Sequence, residues 1–212
     1  MKKQNEQLEH LAEMRSLMEK SSRFISLSGL SGVFAGFAGL IGAGALFWFY
    51  GLEYFYAGEA NSVYDGSGHI RQSFINFLFI DAAGILIAAM GFGIYFTMRK
   101  AKRQGQKAWD KTAQRLVINV MIPLITGGIF GLILIKQGQI QLVAATTLIF
   151  YGLGLVNASK YTLHDIRYLG LCEVALGLLS AFYIDYGLVF WAIGFGLLHI
   201  IYGIVVYLKY EK

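Results

Sequence analysis

The sequence predicts an all-α, polytopic membrane protein: six transmembrane helices in three antiparallel hairpins, preceded by an N-terminal amphipathic helix. Three observations carry this. Residues 24–52 contain no charged side chain over twenty-nine positions, more than the roughly 20 a helix needs to cross a bilayer core. The chain of 212 residues is 56% hydrophobic and only 15% charged, with mean hydropathy +0.55, whereas soluble domains carry about 25% charged residues. If six spans run 24–52, 72–98, 116–135, 139–159, 168–184 and 187–208 from an inside N-terminus, sixteen Lys and Arg fall on the inner side and two, Arg71 and Lys136, outside. That asymmetry is the positive-inside pattern, and one span more or fewer would put a basic cluster on the wrong side.

Residues 1–23 come first. Leu8, Leu11, Met14 and Met18 gather on one side of a helix, and Glu6, Glu9 and Glu13 on another. Such a helix lies on the cytoplasmic membrane surface or docks a protein partner. No cleavable signal peptide is expected, because the first apolar run follows a polar stretch and exceeds a signal sequence's apolar segment. The first span carries Ser28, Gly32, Ala35, Gly36, Gly39, Gly42 and Ala43 at steps of three and four. One side is therefore nearly bare backbone, a surface on which another helix can approach closely. Its end is aromatic, from Phe47 to Tyr56, as suits a membrane–water boundary. The loop to Arg71 contains the turn Asp65-Gly66-Ser67-Gly68 and either caps the bundle or joins a binding site.

The second span leads into a basic segment, Arg99–Arg115, expected to set orientation and to contact anionic headgroups. A net charge of +5 thus implies lipid contact, and no nucleic-acid fold accompanies it. The third span contains Pro123, whose freed carbonyl a neighbouring helix can satisfy. Gly91-Phe92-Gly93, Gly152-Leu153-Gly154 and Gly194-Phe195-Gly196 form a weak repeat, one on each returning helix. It predicts close packing at each. The single Cys172 excludes an internal disulfide framework.

Ionisable side chains within spans default to functional candidates. Here they are Asp81, Glu173 and His199. Each lies in helical register with small residues, so all three are expected to face the bundle. Glu173 and His199 are each thirteen residues from Tyr186, which places both about 20 Å from the turn and predicts a pair. The same reasoning puts Asn119 and Asn157, each nineteen residues from Gly138, at one level. These five residues form the candidate intramembrane polar site. With one buried His and no second one in a span, neither haem nor tetrahedral zinc is expected, and no phosphate, dinucleotide or zinc-protease motif is present.

Gly29-Leu30-Ser31-Gly32, taken with His199, resembles the serine–histidine dyad of rhomboid intramembrane proteases. That resemblance implies Ser31 as nucleophile and His199 as base. It covers five residues, sits on the first span where the rhomboid core has it on the fourth, and lacks the family's other motifs. Two functions follow. One is a non-enzymatic bundle that binds a partner or senses a small ligand. The other is a small proton-linked transporter or channel subunit using Glu173, His199 and Asp81. The compartment expected is a bacterial cytoplasmic membrane, both termini inside, and association with a second copy is left open.

Overall fold

The computed structural model describes residues 28–51, 63–105 and 109–212. The N-terminal amphipathic helix and the first half of the 53–71 loop lie outside them. Among the described residues there is no β-strand, only one isolated bridge between Tyr64 and Ile70. Six long helices make up the rest: α1 (Gly29–Tyr50), α2 (Gln72–Arg103), α3 (Lys111–Lys136), α4 (Val143–Ala158), α5 (Ile166–Phe182) and α6. The last starts as Gly187–Trp191, passes through a π-helical stretch at Ala192–Leu198 and continues as His199–Tyr210. Short 3-10 turns, Ile140–Leu142 and Ile184–Tyr186, lead into α4 and α6.

Counting those turns with the helices they lead into, five helices are long and apolar enough to cross a membrane: all but α5. The 17 residues of α5 reach about 25 Å, somewhat short of a hydrocarbon core of about 30 Å. The outward faces are apolar, with Trp48, Ile80, Ile87 and Phe182 largely exposed. An aqueous surface would not tolerate so continuous an apolar coat. The chain thus has the make-up of a multi-pass integral membrane protein.

Helix ends follow local chemistry. Asp110 caps α3 by accepting from the Ala113 N–H at 2.7 Å, so that helix begins five residues before the apolar run at Leu116. Gly138, at φ +76°, ends it, and the N–H of Gln139 returns to the Leu134 carbonyl, a glycine C-cap. Asp65 accepts from the His69 and Ser67 N–H groups at 2.9 and 2.8 Å, and these two bonds hold its carboxylate below the usual range. Val63, beside that turn, is buried with Ala43, Leu46, Phe74, Ile140 and Leu188, so this half of the loop closes one end of the bundle.

Two seams hold the helices together. Along the first, α1 lies against α6, and a Cβ placed at Gly203 would stand 2.6 Å from the carbonyl oxygen of Gly29 and 2.5 Å from the amide of Val33. Along the second, α4 lies against α5: a Cβ at Gly152 would be 2.6 Å from the Gly170 carbonyl, and one at Gly170 would be 2.7 Å from the Gly152 carbonyl. Backbone meets backbone in both, which only small residues allow. The bare side of α1 is therefore filled by α6 at its start and middle, and by Ile85 of α2 at Gly42.

The glycine repeat does not behave uniformly. Gly152, Gly154, Gly194 and Gly196 are tightly packed, but nothing lies within 4 Å of where a Cβ would stand at Gly91 or Gly93. The physical reason is that α2 packs chiefly on α1 and presents Ile85 to it as a knob. Glycine on one partner suffices there, so the small face of α2 stays uncovered.

The ends of α1, α2 and α6 are tied by a single carboxylate. Glu211 accepts from the Gly29 N–H at 2.5 Å and the Ser28 hydroxyl at 3.1 Å, placing a negative charge at a helix N-terminus, where it is favoured. Lys100 of α2 lies 3.4 Å from the same carboxylate. Beside it, Asp165 accepts from Lys209 at 2.7 Å and Tyr210 at 3.0 Å. Those bonds, the Lys209 bond first, outweigh partial burial and keep the Asp165 carboxyl below its ordinary range.

The seam reading predicts unequal glycines. Gly203→Ala should lower the melting temperature in detergent, at a cost of about 1–3 kcal/mol for overpacking. Gly44→Ala, where a Cβ meets nothing within 4 Å, should leave it unchanged or raise it slightly. Equal effects would remove the α1–α6 seam as the cause.

Candidate functional site: the intramembrane polar cluster

The polar cluster forms where the two seams meet. Tyr151 of α4, Glu173 of α5 and His199 of α6 converge in the apolar layer. His199 Nδ1 lies 2.9 Å from the Gly194 carbonyl oxygen and 3.4 Å from Glu173 Oε1. Its Nε2 lies 2.7 Å from the Tyr151 hydroxyl. The Gly194 carbonyl can only accept, so Nδ1 carries a hydrogen. In the neutral ring Nε2 then accepts and Tyr151 donates; a doubly protonated ring would donate at both ends.

The local fold creates this geometry. Gly194 lies within the π-helical stretch and His199, five residues on, directly follows it. A π turn widens the spacing of the carbonyls and is frequent at functional sites. Gly194 also leaves room for the acid: a Cβ there would collide with Glu173 Oε2 and Leu148 Cδ2. Trp191, Phe195 and His199 follow one another at four-residue steps along α6, with ring centroids 4.8 and 5.9 Å apart. Tyr151 packs against Phe195 at 4.9 Å. The polar atoms thus sit against an aromatic wall.

Glu173 is wholly buried and His199 is 5% exposed. Neither carboxyl oxygen of Glu173 has a hydrogen-bond partner among the described residues, nor do the buried hydroxyls of Ser180 and Tyr202. A buried charge without a partner is strongly disfavoured, and the ring of His199 is the only basic group beside this acid. Among the described residues no three His, Cys, Asp or Glu side chains group together.

Asn119 and Asn157 come together elsewhere, for a different reason. Proline lacks an N–H and cannot bond the carbonyl four residues back, which for Pro123 is that of Asn119. The Asn157 side-chain amide donates to that carbonyl at 3.2 Å. The Asn119 side chain does not face Asn157; it donates to Arg115 of its own helix at 2.8 Å. This contact repairs a helix.

Asp81 joins neither group. It lies on the wall of a cavity of about 390 Å3 between α1, α2, α3, α4 and the first turn of α6. Around it are small and apolar side chains, among them Gly42, Gly127, Gly131, Ile135 and Trp191. Its carboxylate also lies against α1, 3.1 Å from where a Cβ at Gly42 would stand, although Gly84 and Gly91, its neighbours in helical register, face open space. Among the described residues Asp81 has no hydrogen bond and no ion pair.

Ser31 and His199 do not form a dyad. The Ser31 hydroxyl donates to the Ser28 carbonyl at 2.5 Å, and both ring nitrogens of His199 have other partners. Sequence reasoning missed Tyr151, the Gly194 carbonyl and the Lys100–Glu211 tie. Tyr151 belongs to a helix that is not adjacent in sequence to α6, so no turn could serve as a ruler. For Glu211 the only signal was an acidic residue three positions beyond the last expected span.

Two stability outcomes test the cluster. His199→Leu should destabilise more than Glu173→Gln, because it strands the Tyr151 hydroxyl and the Glu173 carboxyl together in an apolar layer. The pair Glu173→Leu with His199→Leu should recover part of that loss, read as melting temperature in detergent. Separately, Asn157→Ala should cost about 1 kcal/mol, and adding Pro123→Ala should restore it by returning the missing N–H. Additive losses in that pair would refute the repair.

Comparison with known proteins finds no matching family model, no matching curated sequence and no matching solved structure, so a functional reading rests on these residues and their geometry.

Proposed function

We propose that this chain is a non-enzymatic, multi-pass protein of a bacterial cytoplasmic membrane that binds a small lipophilic cation in the cavity beside Asp81. Its six helices cross in three hairpins, with both ends on the cytoplasmic side. The orientation is supported by the tie at Glu211, which joins the start of α1 to the ends of α2 and α6. It is supported again by the sixteen cations that this arrangement puts on one side.

The observation that carries the proposal is the company Asp81 keeps. A cavity of about 390 Å3 falls within the range of about 300–1,000 Å3 typical of small-molecule sites, which are mostly apolar with a few polar groups. Among the described residues, Asp81 is the only ionisable one in its lining. A carboxylate in low dielectric needs a counter-charge, and among the described residues none is provided. A ligand with one positive charge and an apolar body supplies both the charge and the surface. Entry would be sideways, through the cleft between α2 and α3.

The transport alternative, with Glu173, His199 and Asp81 along one path, draws less support. Glu173 and His199 line neither this cavity nor the second one at the end of the bundle. Glu173 is sealed within packed helices, which suits a structural or proton-holding group within a binding protein.

With the full chain in nanodiscs of neutral lipid, tetraphenylphosphonium should bind saturably, and Asp81→Asn should weaken it at least tenfold. Glu173→Gln should leave that affinity within about twofold. Equal binding by wild type and Asp81→Asn would end the proposal. pH-dependent flux lost in Glu173→Gln would favour the transport alternative.

A further inference from the structure

A second cavity, of about 350 Å3, opens at the end where α1 starts and where α2 and α6 finish. Its lining includes Arg99, Lys100 and Arg103 of α2, Tyr207 of α6, Glu211 and, one turn deeper on α2, Phe96. The charges in it are unevenly matched. Lys100 is buried and lies 3.4 Å from Glu211. Glu211 is further committed to the start of α1 through Gly29 and Ser28. The one acidic group of the cavity is thus already engaged. Arg99 and Arg103, four residues apart and so on one face of α2, have no ion pair among the described residues.

Basic residues in a last turn also complement the helix dipole. That role asks for nothing beyond the helix itself. Here the two guanidinium groups share a concave space with hydroxyl groups from two other helices, Ser28 and Tyr207, and with an apolar ring below. Guanidinium groups match phosphate oxygens with paired hydrogen bonds, and basic pockets between membrane helices on the cytoplasmic side suit anionic headgroups.

We infer that this cavity is a phosphate-binding site, with Arg99 and Arg103 as the two cationic ligands. The group it takes is a phosphate ester, carried either by an anionic lipid headgroup or by a soluble molecule. This goes beyond general attraction of the 99–115 segment to a charged membrane surface, because it assigns the binding to two of its cations and denies it to others. It does not depend on the Asp81 cavity, and either site can fail alone.

The test uses the full chain purified in uncharged detergent, with phosphatidylglycerol and phosphatidylcholine offered at equal amounts. Retained lipid is read by native mass spectrometry and melting temperature by scanning fluorimetry. Wild type should retain phosphatidylglycerol over phosphatidylcholine, or be stabilised by glycerol phosphate. The double variant Arg99→Gln with Arg103→Gln should reduce that binding at least tenfold at an unchanged melting temperature without ligand. Lys111→Gln with Arg115→Gln removes the same charge outside the cavity and should bind as wild type does. Arg99→Lys with Arg103→Lys keeps the charge and should recover only part of the binding. Retention of phosphatidylglycerol that glycerol phosphate does not displace identifies a lipid headgroup; displacement or direct stabilisation by glycerol phosphate identifies a soluble ester. The inference is overturned if the two Gln variants bind alike, or if wild type prefers neither phosphatidylglycerol nor glycerol phosphate.

Discussion

His199 stands where two independently packed helix pairs meet. Its backbone belongs to the α1–α6 seam: the carbonyl oxygen lies 3.4 Å from where a Cβ at Gly32 would stand. Its ring reaches the α4–α5 seam, touching Tyr151 and Glu173. Each seam alone is van der Waals contact between bare backbones, which brings helices close but selects depth weakly. A polar contact in an apolar layer is directional, and a misplaced one leaves a donor or acceptor unsatisfied. The cluster therefore fixes the height of one pair against the other. The π turn before His199 is part of the same constraint, since it sets the ring against the Gly194 carbonyl.

Polar side chains in this bundle do different things, and their partners tell them apart. Asn157 meets a carbonyl that Pro123 has deprived of its own donor, so its partner is backbone and its role is repair. Ser31 likewise turns back to Ser28 on the approach to its own helix. Glu173 differs: both oxygens lack a hydrogen-bond partner among the described residues, with an imidazole close by and a glycine making room. Asp81 differs again, since it lies against Gly42 on one side and borders empty volume on the other. Residue type and depth alone put all of these in one class; the neighbours separate them.

The apolar helices were legible in the sequence because apolar runs and basic flanks are one-dimensional signals, although only five of the six expected spans are long and apolar enough to cross a membrane. The bare side of α1 was also legible, although its main partner was not. Helix α6 lies at the far end of the chain, and no periodicity says which of five other helices fills a groove. Levels were readable across single tight turns: Glu173 lies 3.4 Å from His199, and Asn157 reaches Asn119, though through a backbone atom. Across non-consecutive helices the same ruler has no fixed point, which is why Tyr151 stayed hidden. Asp81 does reach α1, at Gly42, but not through the small residues in register with it. Gly84 and Gly91 face open space, for close approach needs bare backbone on only one of two partners, and α1 already supplied it.

That asymmetry bears on function. Helix α2 is held by α1 along one side, by Phe74 in the cap at one end and by Lys100 at the other. Between those fixed points Asp81 lies at the edge of the α1 contact and also borders the cavity. A bundle selected only for tight packing would bring α3 against that side of α2, since Gly128 and Gly131, where a Cβ would meet nothing within 4 Å, offer a small surface for it. Here that surface lines a cavity together with a carboxylate, and an unfilled apolar space forfeits dispersion contacts while a lone carboxylate adds its own cost. Both penalties fall at the same place, and a single occupant with an apolar body and one positive charge relieves them together.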